Sequence, residues 1–131
     1  MSLDEVRLSL PREREFSSVA HLVLGGLAAR LDLTFEELAD LELALDRLLE
    51  QDEGVGEITV SLRVHEGGLR ATVGPFHDDA LLAELDPAAG ERLGLRRILD
   101  TLADEVELAD RDGEHWVELR KRAHGAEEAG G

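Results

Sequence analysis

The chain has 131 residues, 43% apolar and 34% charged, which suits one domain with its own core and does not comfortably allow two. A net charge of −16 repels phosphate backbones and anionic headgroups, and three Phe with one Trp and no Tyr give no stacking platform, so neither nucleic acid nor membrane is an expected partner. The absence of Cys removes disulfides, thiol nucleophiles and Cys-based metal sites, and no apolar run approaches the roughly 18 residues of a membrane span, so a cytoplasmic protein is expected.

Val6, Leu8 and Leu10 alternate with Arg7 and Ser9 ahead of Pro11, which predicts a first strand. Phe16, Val19, Ala20, Val23, Leu27 and Leu31 recur at helical spacing and predict a helix over 16–31. Gly25-Gly26 costs that helix about 1 kcal/mol per residue relative to Ala, and close packing on a neighbouring element is the expected reason. Thr34 and Glu37 read as a capping box that opens a second helix, with Leu33 and Leu38 placed as a hydrophobic staple. Leu38, Leu41, Leu45, Leu48 and Leu49 mark its buried stripe, which ends before Gly54 and Gly56.

The period then changes to two. Ile58, Val60, Leu62 and Val64, a turn at Glu66-Gly67-Gly68, and Leu69, Ala71 and Val73 predict an antiparallel hairpin. Residues 74–92 read as a loop with one helical turn over 79–85, and Leu95, Ile98, Leu99 and Leu102 predict a third helix. Val106 and Leu108 pair with Val117 and Leu119 across Asp110-Arg111-Asp112-Gly113 as a last hairpin. One domain over 1–122 is expected, followed by a disordered Gly-, Ala- and Glu-rich tail over 123–131. Two hairpins exclude a doubly wound parallel sheet and predict an α/β (α+β) two-layer sandwich, with a mostly antiparallel sheet of about five strands and three helices on one face.

That order, with Val6-Arg7-Leu8-Ser9-Leu10-Pro11, Leu27-Ala28-Ala29-Arg30-Leu31, Asp40-Leu41-Glu42-Leu43-Ala44-Leu45, Leu93-Gly94-Leu95-Arg96-Arg97-Ile98-Leu99 and Val117-Glu118-Leu119-Arg120-Lys121-Arg122, resembles the GHKL (histidine kinase-like) ATPase superfamily. More narrowly it is similar to the RsbW-like branch of anti-sigma factors and serine-protein kinases, over residues 6–122. The resemblance implies the Bergerat fold of these ATPases and a protein partner, either a sigma factor or a small antagonist protein. It also implies ATP and Mg²⁺ as cofactors in active members, and a homodimer as one assembly.

The family's catalytic pattern is altered. The resemblance puts a proton-accepting Glu at the place of Arg47 and a Mg²⁺-holding Asn at the place of Gln51. A guanidinium stays protonated and is no base. The extra methylene of Gln51 moves its oxygen by roughly a bond length, where metal geometry tolerates only tenths of an ångström. An Asp-x-Gly-x-Gly that would read adenine is replaced after Val73 by Gly74-Pro75-Phe76-His77-Asp78-Asp79. Gly90, Leu93, Gly94 and Leu95 keep a Gly-bearing approach to a helix, a residual phosphate site at most. No bound cofactor is therefore expected, with ATP–Mg²⁺ as the alternative.

Between Glu36 and Glu53 there are eight carboxylates against Arg47 alone, and Glu42, Asp46 and Glu50 follow one another at i, i+4. Such a ridge weakens a helix slightly, so it reads either as a solvated face or as a docking surface for a basic partner. His77-Asp78-Asp79 has too few ligands for a metal, and the other histidines lack H-x-x-x-H spacing. Trp116 alternates away from Val117 and Leu119 and is expected on the opposite sheet face. The resulting expectation is a protein-binding regulator with Glu42, Asp46 and Glu50 at its recognition surface and no phosphoryl transfer. An active serine-protein kinase and a nucleotide-independent dimeric scaffold are the alternatives.

Overall fold

The computed structural model of the chain describes residues 5–11, 17–31, 33–50, 56–65, 67–76 and 95–122. The chain runs β1 (Glu5–Pro11), α1 (Ser17–Leu31), α2 (Phe35–Leu49), β2 (Glu57–His65), β3 (Gly68–Phe76), α3 (Leu95–Leu102), β4 (Glu105–Arg111) and β5 (Glu114–Arg122). The strands form a single sheet of order β1-β2-β3-β5-β4 in which every neighbouring pair is antiparallel. This is the predicted α+β two-layer arrangement. The short helix predicted over 79–85 and the tail over 123–131 lie outside the described residues.

Both hairpins pair in the expected register. Val60 faces Val73 and Leu62 faces Ala71 in the first, while Val106 faces Leu119 and Leu108 faces Val117 in the second. The second turn is tight because Asp112 and Gly113 both take positive φ, 53° and 80°, the combination a two-residue hairpin of matching twist requires. Strand β3 outlasts the expectation by three residues. Gly74, Pro75 and Phe76 continue it instead of opening a loop, and its pairing with β5 shifts between Val73 and Phe76. Pro75 has no N–H for the ladder, and an irregularity in pairing is where a sheet tolerates that loss.

Val60, Leu62, Ala71, Val73, Val117 and Leu119 are fully buried on one face of the sheet, beneath Leu24, Leu41, Leu45, Leu48 and Leu99 of the helices. Helix α2 follows its sequence pattern closely. Thr34 Oγ1 accepts from the Glu37 N–H at 3.1 Å, and Glu37 Oε1 accepts from the Thr34 N–H at 2.8 Å, so the capping box is closed. Leu33 and Leu38 both pack against the core, as a staple requires.

Helix α1 departs from its pattern. Leu24 is in the core beside Ala20, Leu27 and Ala28, whereas Val19 is 37% and Leu22 78% exposed. With leucine or valine at positions 19, 22, 23, 24 and 27, this helix is apolar nearly all round, so its period does not fix which side faces in. Gly25 and Gly26 do not serve close packing either: a Cβ on either would meet nothing within 4 Å. The expected tight neighbour is absent among the described residues. Replacing both glycines with alanine should therefore stabilise the protein by about 1 kcal/mol per residue, raising the urea midpoint at constant m. A lower midpoint would reveal a neighbour on this face.

Candidate functional site

Helix α2 carries Arg47, at the place where the resemblance puts a proton-accepting Glu. Arg47 lies in its last turn and is exposed, where a cation also suits the negative end of the helix dipole. The helix stops at Leu49 with Glu50 as its C-cap, the Glu50 N–H donating to the Asp46 carbonyl at 3.0 Å. Gln51 lies outside the described residues. On β3, Gly74 follows Val73 at the place where an adenine-reading Asp would begin, and two residues on Phe76 is fully buried in the core. An aromatic ring there occupies packing space, whereas a glycine would let backbone approach a ligand. Leu95, the first residue of α3, is also buried, so its side chain belongs to the core. Gly90, Leu93 and Gly94, and likewise His77, Asp78 and Asp79, lie outside the described residues.

The acidic ridge of α2 is not simply solvated. His21 of α1 stands between two of its carboxylates, with Nε2 2.8 Å from Asp46 Oδ1 and Nδ1 3.2 Å from Glu42 Oε2. The carboxylate side chains are each 32% exposed and the imidazole 29%. The Nε2–Asp46 contact is a hydrogen bond across the two helices. The trio ties α1 to α2 as a clasp, and no group of three or more residues suited to hold a metal occurs among the described residues. Two carboxylates of the i, i+4 ridge therefore have a polar partner on α1 that sequence reasoning missed. Glu50 is exposed at the helix end.

A second polar tie fixes the other side of α2. Lys121, the chain's single lysine, is 8% exposed on β5; its Nζ donates to Asp40 Oδ2 at 3.2 Å and to the Leu102 carbonyl at 2.9 Å. It thereby joins α2, the C-terminal end of α3 and the sheet, and places a cation at a helix C-terminus.

No family model matches the chain. It is 27% identical over 132 residues to the serine-protein kinase RsbW of Bacillus velezensis, covering 86% of this chain and 82% of that protein. The RsbW of Listeria innocua is 29% identical over 124 residues, 80% of this chain and 79% of its own. The RsbW of Bacillus subtilis is 25% identical over 130 residues, 84% and 81% respectively. Among solved structures, that of the RsbU and RsbW domains of a Mycobacterium tuberculosis protein superposes with a TM-score of 0.61 at 18% identity. That match covers 90% of this chain and 32% of the longer one, so this chain spans about a third of it, and the likeness is one of fold.

The clasp makes a measurable claim. His21→Ala should lower the unfolding free energy by about 1 kcal/mol, and a cycle with Asp46→Ala should return a coupling of about 0.5 kcal/mol or more in urea melts. Zero coupling would mean that the contact contributes nothing to the α1–α2 junction.

Proposed function

Taking the chain as a member of the RsbW-like branch of the GHKL ATPases, we propose that it regulates by binding protein and does not transfer phosphate. The observation that carries this reading is Arg47, a permanent cation on α2 where the family's proton acceptor is expected. The burial of Phe76 supports it. The partner is a sigma factor or an antagonist protein, held by sequestration.

Helix α2 offers the recognition surface. Glu42, Asp46 and Glu50 line its acidic side, and the exposed apolar residues Phe35 (86%) and Leu43 (46%) lie along the same helix. A basic amphipathic segment matches this mixture, and the −16 charge would speed its encounter at low salt. A homodimer and a bound nucleotide are separate properties that this reading does not need.

Two measurements test it. Millimolar ATP with Mg²⁺ is expected to leave the melting temperature unchanged. Binding at about 100 times Kd would add about 2.7 kcal/mol, a shift of several degrees that would restore the kinase alternative. For the surface, reversal of Glu42 and Asp46 would disturb His21, so the informative variant is Glu36→Lys with Glu50→Lys. It should stay folded with a modestly lower melting temperature, because a cation replaces Glu36 in the first turn, yet retain copurifying basic partners about tenfold more weakly at low salt. Unchanged retention would remove α2 from the interface.

A further inference from the structure

The sheet face turned away from the helices carries a row of arginines. Reading across the strands, Arg63 stands opposite Arg70, and Arg70 opposite Arg120, with Glu5 and Glu105 at the two ends of the row. Neighbouring strands are about 4.8 Å apart, so three guanidiniums sit side by side, an arrangement that disfavours the sheet. The relief is partial. Glu118 lies 3.2 Å from Arg70 and 3.4 Å from Arg120, and Glu105 lies 3.3 Å from Arg120. Arg63 pairs with no carboxylate among the described residues. The Arg70 Nε is buried with its N–H directed at no acceptor among them, despite its ion-pair distance to Glu118.

Beside this row runs a groove of about 460 Å³, lined by four arginines against two glutamates and by the hydroxyls of Ser9, Thr59, Ser61 and Thr72. Its wall is Trp116, half-buried as the alternation required. The indole lies so close on Gly74 that a Cβ there would sit 2.5 Å from Trp116 Cδ2. The Arg111 guanidinium stands 5.4 Å from the ring centroid on a cation–π contact. The Trp is therefore held in place before any ligand arrives. Glu105 and Glu107 occupy the β4 margin, so the positive excess is over β1 to β3, around Arg63, Arg70 and Arg7, the last 3.4 Å from Glu5.

We propose that this groove binds a short acidic segment of a partner protein, its carboxylates on Arg7, Arg63 and Arg70 and an aromatic side chain against Trp116. Charge complementarity selects the occupant: this is a basic groove on a chain of net charge −16. A nucleic acid extends its charge far beyond the groove and meets that net repulsion, and a single indole cannot stack successive bases. A short peptide meets the groove alone. The site lies on the opposite side of the sheet from the helices and stands independently of the α2 reading.

Trp116 is the chain's only tryptophan, so its emission reports this groove and nothing else. The full chain is titrated with an end-blocked Asp-Glu-Phe-Glu-Asp peptide, a Lys-Lys-Phe-Lys-Lys peptide and a single-stranded oligothymidylate. The expected result is a saturable change with the acidic peptide alone, weakened about tenfold or more on raising salt to about 0.5 M. Arg63→Glu should abolish that change and Arg63→Gln should weaken it, both at the parent melting temperature, while Glu36→Lys with Glu50→Lys leaves it intact. No response, an equal response from Arg63→Glu, or a preference for the oligonucleotide would each overturn the proposal. Self-association that accounts for the change, seen by sedimentation, would overturn it too.

Discussion

The structure depends on one constraint, the strict two-sidedness of its central strands. Val73 and Ala71 on β3 and Val117 and Leu119 on β5 put their whole apolar complement on one side, and Thr72, Arg70, Trp116 and Glu118 theirs on the other. Only one face needs covering, and two helices of 15 residues and one of eight cover it. Polar groups that secure those helices are consequently found at the rim: the Thr34–Glu37 box at the entry to α2, His21 between α1 and α2, and Lys121 beneath Asp40 and Leu102. Each satisfies donors or acceptors that the apolar layer cannot, which is the condition for keeping them near a dry interior.

How much of this was legible in the sequence differs from element to element, for physical reasons. Helix α2 was readable because its leucines fall among carboxylates, so the contrast between its faces fixes its orientation as well as its existence. Helix α1 was readable as a helix only. With leucine or valine at 19, 22, 23, 24 and 27, several phases bury comparable area, and the tertiary fit, which places Leu24 inside and Leu22 outside, makes the choice. The hairpins were legible in register because a slip by one residue would turn every apolar side chain to the wrong face. The end of β3 was not, because Gly74-Pro75 carries turn chemistry that a strand irregularity also accommodates.

At the candidate site, the residue types alone carried the chemical reading, since a guanidinium cannot become a base whatever surrounds it. What the sequence withheld were partners distant along the chain. His21 and Asp46 are 25 positions apart and Lys121 and Asp40 are 81 apart, separations at which no local pattern operates. One signal did exist. Three carboxylates at i, i+4 with Arg47 as the one nearby cation ask for a polar partner from another element, and the nearest helix in sequence offers a histidine on an otherwise apolar stretch.

The two layers also divide the charge. From Glu36 to Glu50, α2 carries six carboxylates against Arg47, whereas the groove on the open sheet face has arginines in excess. A chain with uniformly spread negative charge would repel every acidic partner and attract every basic one without orientation. Segregation of the arginine excess into one groove, away from the acidic side of α2, gives a charged segment a local target that the net charge alone would not provide. Screening sets the reach of that effect at about 10 Å in 0.1 M salt, which is comparable to the separation of packed layers. At contact distance the groove's arginines therefore act locally, and the net charge governs only the approach. On a fold of this size, that separation keeps the acidic helix side and the arginine-rich groove from cancelling each other's local field.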